Sequence, residues 1–485
     1  MKICLIVEGC YPYVVGGVSA WVQMLIRQMP EHQFVIVSIG AEHTQRGQFR
    51  YELPPNVTEL REYFLDEPLE SPEAAATVRP LTAAQQQALL DLVRGTSPDW
   101  PRLFELFGGK NARAARDFLM SEEFLAIVQR LAEDTGRNTP FKDLFWTLRS
   151  MLLPALELLH CPVPEADVYH TVATGYAGLL GAKFSYFAQK PYIVTEHGIY
   201  TREREEEILK ADWVPGYFKP TWIGYFRALS QAAYRQAGTI VSLFQGAREL
   251  QIGLGAPEAK CRVIPNGIDI RRFAAVPPLD PEPHPLHLGA VLRIVPIKDV
   301  KTMIYSFYRV KARCPDATLD LIGPYDEDPA YYEECRDLIG RLGCRGIRFV
   351  GRAEVTDWLP RLDLVLLTSI SEGQPFVLLE AMAAHRPVVA TNVGACREII
   401  EGADDGIGPA GRVVPVMSPE AIAEGILAIS QSPAQLRALA ENGYRRVVRF
   451  YQDKDFLAAY RALYREAVQN TNREVSRPWQ ASALN

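Results

Sequence analysis

The feature that most limits what this chain can fold into is a rhythm. Short unbroken apolar runs, each followed by a turn and a helical stretch, recur along the sequence and restart after a proline-dense break. A strand inside a parallel sheet is buried on both faces, so it reads as a continuous run rather than as alternation. KICLIV, the glycine-bearing EGCYPYVVGG, helical spacing from Ser19 to Met29 (Trp21, Met24, Leu25, Gln28) and the run Phe34–Ile39 make a first βαβ unit. The alternation resumes with VYHTV (Val168–Val172), a helix over Gly178–Phe187, YIVTE (Tyr192–Glu196), a helix near Trp222–Gln236, TIVSL (Thr239–Leu243) and RVI (Arg262–Ile264). Between the two stretches, from about 81 to 160, the spacing is helical throughout, as in LTAAQQQALLDLV and SEEFLAIVQRLAE.

Closely spaced prolines resist helix and sheet interiors, so VPPLDPEPHP (Val276–Pro285) is expected to be a linker. After it the rhythm restarts with LHLGAVLR, TLDLIG, IRFVG, LDLVLLT, PVVAT and GRVV. The expected fold class is α/β, with two Rossmann-like doubly wound domains whose strand C-termini face a cleft, the place where open α/β sheets bind ligands. The expected boundaries are an N-terminal domain at 1–275 with a helical insertion at about 81–160, a linker at 276–285 and a second domain at 286–450. A helix at 451–470 is expected to return to the first domain, followed by a tail at 471–485.

Composition removes several classes of function. With 52 Lys+Arg against 58 Asp+Glu, the net charge of −6 argues against holding nucleic acid or anionic lipid by bulk charge, and no nucleic-acid partner is expected. The 8 cysteines are scattered with no C-x-x-C pair, so neither a zinc site nor a disulfide framework is expected. Ile3–Val7 is too short for a signal-peptide core, and Val14–Ile26 is broken by glycines and Gln23. A cytoplasmic protein with no transmembrane segment is the expectation.

The most informative stretch is SISEGQPFVLLEAMAAHRPVVAT (Ser369–Thr391), after the strand LDLVLLT. Pro375 suits the first position of a helix over Phe376–Ala384, which leaves the N–H groups of Phe376, Val377 and Leu378 as orphan donors at a positive dipole end, an anion site. Glu372 before this helix and Glu380 within it stand at two levels, suited to hydroxyls at opposite ends of an extended ligand. Arg293 and Lys298, in AVLRIVPIKDVKT, lie just past the first strand of the second domain. Lys298 stands at a helix start, where a cation is disfavoured unless an external anion compensates it. A planar fork and a mobile point charge together suit a diphosphate that gains charge as it leaves.

These stretches, with VIPNGID (Val263–Asp269), resemble the retaining GT-B glycosyltransferases of family GT4, whose R-x4-K pattern falls on Arg293 and Lys298 and whose E-x7-E pattern falls on Glu372 and Glu380. The resemblance implies that Arg293 and Lys298 bind the diphosphate of a nucleotide sugar, Glu372 contacts the donor sugar and Glu380 holds the ribose hydroxyls. Gly373, Gln374, Phe376 and Val377 would line the donor, and Arg352 in Val350-Gly351-Arg352 would lie near the base. Gly16 and Gly17, in the first βα loop, match the glycine loop that faces donor phosphate and acceptor, and His197 in TEHG looks like the family's active-site histidine. Arg293, Lys298, Glu372 and His197 are thus the expected catalytic set. Over almost its full length the chain resembles, more specifically, the cytosolic glycosyltransferases of Pel exopolysaccharide synthesis, in MKICLIVEGCYPYVVGGVSAWVQMLI, the helical insertion, TEHGIYTRERE and SEGQPFVLLEAM. This implies a UDP-hexose or UDP-N-acetylhexosamine donor, a growing polysaccharide acceptor, partner subunits of an inner-membrane Pel synthase that recruit the chain to the membrane surface, and no cofactor or metal. Gln374-Pro375-Phe376 departs from many GT4 members, which have Phe or Gly after the Glu-Gly, and bears on which sugar is carried.

Other patterns are read as bystanders. Asp326-Glu327-Asp328 matches a D-x-D but lies in a loop after TLDLIG and reads as a solvated acidic loop. His284-x-x-His287 lacks a third zinc ligand, and no G-x-G-x-x-G follows either first strand. Arg202 and Arg204 read as a salt-bridged helix face, with an acceptor contact as the other reading. Three alternatives in function stay open: a GT-B-fold epimerase, a phosphorylase, and a non-catalytic subunit of a membrane assembly.

Overall fold

The structure is a computed structural model that describes residues 1–67, 80–135, 139–280, 282, 284–403 and 405–474. It divides into two units. Unit 1 comprises Met1–Ser242, Ala247–Val263 and the chain from Tyr460; unit 2 comprises Leu243–Gly246 and Ile264–Ala459.

Unit 1 opens with β1 (Lys2–Glu8), α1 (Gly17–Arg27), β2 (Gln33–Gly40) and β3 (Val57–Phe64). Five helices follow: α2 (Ala83–Arg94), α3 (Trp100–Gly108), α4 (Ala115–Phe118), α5 (Glu122–Thr135) and α6 (Phe141–Leu158). The alternation then runs β4 (Val168–Thr171), α7 (Tyr176–Ala188), β5 (Tyr192–Glu196), α8 (Tyr200–Lys210), α9 (Lys219–Gln236), β6 (Thr239–Ser242), α10 (Gln245–Gly253) and β7 (Cys261–Val263). The strands form one parallel seven-stranded sheet in the order β3-β2-β1-β4-β5-β6-β7. β1 is central, with Ile3 opposite Phe34 on one side and Val168 on the other, and Ile3 to Val7 are wholly buried. β3 is the strand that reading for unbroken runs passes over. It lies at the sheet edge, so VTELREYF keeps charged residues between apolar ones and stays half-exposed.

The helical insertion is part of the unit's core. Leu89, Leu103, Phe104, Phe107, Leu148 and Met151 share one buried cluster with Val35 and Val37 of β2. Thr82 and Gln85 start α2 with a reciprocal capping box, and Gly95 ends it in the left-handed region (φ 66°). A Cβ on Gly95 would lie 2.5 Å from the backbone of Gly224 in α9, so this helix junction requires glycine. Residues 136–138, within the expected insertion, lie outside the described residues.

Unit 2 contains β8 (His287–Val291), α11 (Val300–Lys311), β9 (Thr318–Ile322), α12 (Pro329–Leu342), β10 (Ile347–Gly351), α13 (Val355–Trp358), β11 (Leu364–Leu367), α14 (Phe376–Ala383), β12 (Val388–Thr391), α15 (Cys396–Glu401), β13 (Gly411–Val414), α16 (Pro419–Ile429), α17 (Pro433–Phe450) and the start of α18 (Asp453–Glu474). Its parallel sheet runs β10-β9-β8-β11-β12-β13. β11 shows why such strands read as apolar runs: Leu364 and Leu366 enter one buried cluster, Val365 and Leu367 the other.

Three boundary expectations of the sequence reading need correction here. Residues 264–275, assigned above to the N-terminal domain, belong to unit 2, because Ile268, Phe273 and Val276 bury themselves in its core. The 276–285 stretch is not a free linker at its start, since Val276 and Leu279 are buried; Pro281 and Pro283 lie outside the described residues. α18 extends to Glu474, past the expected start of the tail at 471, and 475–485 lie outside the described residues.

Candidate active site

In unit 2 the candidate residues sit on loops at strand C-termini: Arg293 and Lys298 after β8, Arg352 after β10 and Glu372 after β11. Two hydrogen bonds tie the β8 and β11 loops together. The Ile370 N–H donates to the Ile297 carbonyl at 2.9 Å, and the Thr368 hydroxyl donates to the Lys298 carbonyl at 2.9 Å. Held this way, Lys298 Nζ donates to Glu372 Oε1 at 2.5 Å, the two side chains 19% and 13% exposed. Asp299, in the left-handed region at φ 48°, caps α11 by accepting the Thr302 N–H. The cation that sequence alone leaves waiting for an external anion is therefore already compensated, by Glu372 and by the acidic cap beside it.

α14 begins at Phe376, with Pro375 as an extended N-cap rather than the expected first helical residue. No side chain caps this end and its first turn holds no acid. Leu378 is not an orphan, because its N–H donates to the Pro375 carbonyl at 3.2 Å. The N–H groups of Phe376 and Val377 have no partner among the described residues, and the positive end of α14 stands open to an anion. Gln374 is 6% exposed and its Oε1 accepts the Asn266 N–H at 2.6 Å, so it locks the NGID segment. Gly373 is held by its carbonyl, which accepts the Ala395 N–H at 2.8 Å. The approach demands glycine at 394 (φ 51°), where a Cβ would come within 2.2 Å of the Gly373 oxygen.

Glu380, one face further along α14, is half-buried with a carboxylate that has no hydrogen-bond partner among the described residues. Burial pushes it up to about 7, with the Arg272 charge pulling the other way. The acidic loop read as solvated is exposed at Asp326 and Glu327, and within solvent it makes surface ion pairs. Glu327 accepts from Arg293 Nη1 at 2.7 Å, Asp326 accepts from Arg352 Nη2 at 3.1 Å, and Asp328 caps α12 through the Tyr331 N–H. Among the described residues no group of His, Cys, Asp and Glu is placed to hold a metal ion.

Unit 1 carries the remaining candidates at the C-terminal ends of β1 and β5. Gly16 and Gly17 are exposed, and a Cβ on either would meet nothing within 4 Å. Gly16 caps α1 at an extended φ of −179°, so neither the fold's crowding nor its backbone demands these glycines. His197 follows β5; its ring lies edge-on to Trp21 with centroids 4.7 Å apart, and Nε2 is buried without a hydrogen bond. Burial lowers its pKa to about 4, so the imidazole is neutral at pH 7. Arg204 pairs with Glu207 at 2.6 Å on α8, the salt-bridged helix face. The reading from sequence missed Glu196 as anything but a strand end. This buried carboxylate accepts from the hydroxyls of Thr174 (3.0 Å) and Tyr234 (2.7 Å), Gln251 Nε2 (3.0 Å) and the Tyr200 N–H (3.1 Å), fixing the segment that carries His197. Three of these donors, from Thr174, Tyr234 and Gln251, lie 22, 38 and 55 residues away along the chain, and nothing local in the sequence announces them.

Comparison with known proteins follows the same division. Residues 1–259 match the family described as "Domain of unknown function (DUF3492)", and residues 283–432 match "Glycosyl transferases group 1". An MMP alpha-(1->4)-mannosyltransferase of Mycolicibacterium hassiacum is 24% identical over 63% of this chain and 71% of its own length. A phosphatidyl-myo-inositol mannosyltransferase of Mycolicibacterium smegmatis is 33% identical over 36% of this chain, which spans less than half of that protein (44%). Among solved structures, Anabaena Alr3699/HepE in complex with UDP and glucose superposes with a TM-score of 0.58 at 15% identity, covering 96% of this chain and 100% of that one. The fold shared with such neighbours is GT-B, two parallel-sheet Rossmann-like domains.

Proposed function

We propose a reaction for a chain that belongs to the DUF3492 family and carries a group 1 glycosyltransferase domain: retaining transfer of a hexose or N-acetylhexosamine from a UDP-sugar to a growing exopolysaccharide of the Pel type, as in a PelF-like enzyme. The observation that carries the reading is the Lys298–Glu372 ion pair beside the open N-terminus of α14. Lys298, the Phe376 and Val377 N–H groups and Arg293 supply donors for a diphosphate; Glu372 supplies an acceptor for sugar hydroxyls, and the unpartnered Glu380 carboxylate an acceptor for the ribose. Arg352, at the end of β10, stands two strands out from β8, and is the residue proposed to meet the base. The known binding of UDP by HepE supports a uridine donor.

In the reaction the acceptor hydroxyl oxygen bonds to the anomeric carbon, the bond from that carbon to the diphosphate oxygen breaks, UDP leaves with the electron pair, and the acceptor's hydroxyl proton passes to the departing diphosphate oxygen. Stabilising that departing charge is the principal work of the site. His197, neutral at pH 7, offers a hydrogen bond rather than a charge, and Gly16 and Gly17 leave the first βα loop bare for close approach. The chain itself would work on the cytoplasmic side, recruited by synthase subunits; no helix among its described residues is long and apolar enough to cross a membrane.

A thermal-shift panel of UDP, GDP, ADP and their sugars tests the donor, because a ligand of the native state raises apparent stability according to its affinity. UDP and its sugars should give the largest shifts, and UDP should be released when purified protein meets a UDP-sugar and an acceptor glycan. No shift with UDP, or conversion of donor without acceptor, would contradict the reading.

A further inference from the structure

His197 Nε2 is buried without a hydrogen-bond partner among the described residues, so no protein hydrogen bond on that side of the ring sets its orientation and packing must do so. The packing partner is Trp21 of α1, wholly buried, whose ring in turn meets Tyr460 of α18 at 5.4 Å and 76°. Tyr460 is held by a polar chain. Its hydroxyl lies 3.0 Å from Thr195 Oγ1, which lies 2.8 Å from His170 Nε2, and His170 Nδ1 lies 2.7 Å from the Tyr464 hydroxyl. Burial holds His170 neutral, with a pKa near 3, so it has one N–H donor and one bare nitrogen. Either tautomer satisfies the chain: if Nε2–H donates to Thr195, Nδ1 accepts from Tyr464, and if Nδ1–H donates to Tyr464, Nε2 accepts from Thr195. A buried network with every bond made is stiff, and the cost of breaking any member fixes the others.

We propose that Trp21 and Tyr460 are positioning residues for His197: α18, clamped to β4 and β5 through the His170 network, sets the indole that sets the imidazole. The inference rests on the reading that His197 belongs to the reaction site, and it adds what places the ring there. Edge-to-face aromatic contacts have a preferred geometry, so the indole defines a ring angle where no hydrogen bond does. Thr195 ties the arrangement to the strand that His197 itself follows.

The test uses the full chain with Trp21→Leu, Trp21→Phe and Tyr460→Phe, each also in a His197→Ala background. One readout is the His197 Cε1–H resonance, identified by its loss in His197→Ala and displaced by the ring current of the indole. The other is UDP release from UDP-glucose and UDP-N-acetylglucosamine. Trp21→Leu should shift and broaden the resonance, and Tyr460→Phe should do so to a smaller degree. Trp21→Leu should lower kcat on the order of tenfold with donor KM within about twofold, as expected of a misplaced group, and Trp21→Phe should recover most of the loss. Once His197 is alanine, the Trp21 change should cost nothing more in kcat. A resonance unmoved by Trp21→Leu and Tyr460→Phe, or the same kcat loss with and without His197, would overturn the inference alone. Wild-type turnover in His197→Ala would bring down the reading of His197 and the inference with it.

Discussion

Glu380 is a carboxylate without a hydrogen-bond partner, held by burial at a pKa of about 7 against an ordinary 4.5. A hydroxyl donor binds the ionised form, so UDP affinity should rise as pH climbs through about 7, and Glu380→Gln should flatten that rise in a calorimetric titration series. Stability runs the other way. The folded state keeps the proton that the unfolded state has lost, so the contribution of Glu380 to stability falls between about pH 4.5 and about 7 and is flat above, a difference that denaturation of the wild type against Glu380→Gln reads. Glu327 makes a second prediction at this scale. It occupies the Arg293 guanidinium that the proposed function gives to the diphosphate, and the pair is half-exposed at 50% and 36%. Such surface pairs are worth about 0–1 kcal/mol, so Glu327→Gln should tighten UDP binding by up to about fivefold. Weaker binding in that variant would assign Glu327 a direct contact with the donor.

At the scale of elements, the site depends on loops holding one another. Gly394, in the left-handed region, lets the Ala395 N–H reach the Gly373 carbonyl beside Glu372. Gly394→Ala would place a Cβ 2.2 Å from that oxygen and 2.3 Å from the Glu372 carbonyl oxygen. The variant should lose about 1–3 kcal/mol of stability, typical of a strained backbone position, and bind UDP more weakly although residue 394 holds no donor atom. Thermal denaturation and titration on the same preparation check both halves. These loops also mark where the sequence stops being informative. Strands buried on both faces, such as β11, are legible as apolar runs, while Arg293, Lys298, Glu372 and Glu380 stand out as candidates through spacings that resemble the GT4 patterns. The partners of Arg293 and Arg352 are not, because Glu327 and Asp326 lie 34 and 26 residues away along the chain in a loop that reads as solvated. The bond from Asn266 to Gln374 is hidden for the same reason, since it spans 108 residues.

For the whole molecule, the part of α18 from Tyr460 onward is integral to unit 1. Tyr460, Leu463 and Tyr464 are buried at 0%, 2% and 0% exposure. Tyr464→Ala should cost about 3–5 kcal/mol in chemical denaturation, as large buried aromatics do, and strand His170 Nδ1 without a partner. Helical spacing at the C-terminus was visible in the sequence, while the tyrosines' polar partners, 265 and 294 residues upstream, were not. The central claim is that the loops of unit 2 grip the diphosphate of a nucleotide sugar. Calorimetric titration of UDP into the wild type and into Arg293→Ala/Lys298→Ala tests it most directly. Loss of charge-assisted hydrogen bonds at about 1.5–3 kcal/mol each should weaken binding by about a hundredfold or more in the double variant. Equal affinity in the two proteins would contradict the account.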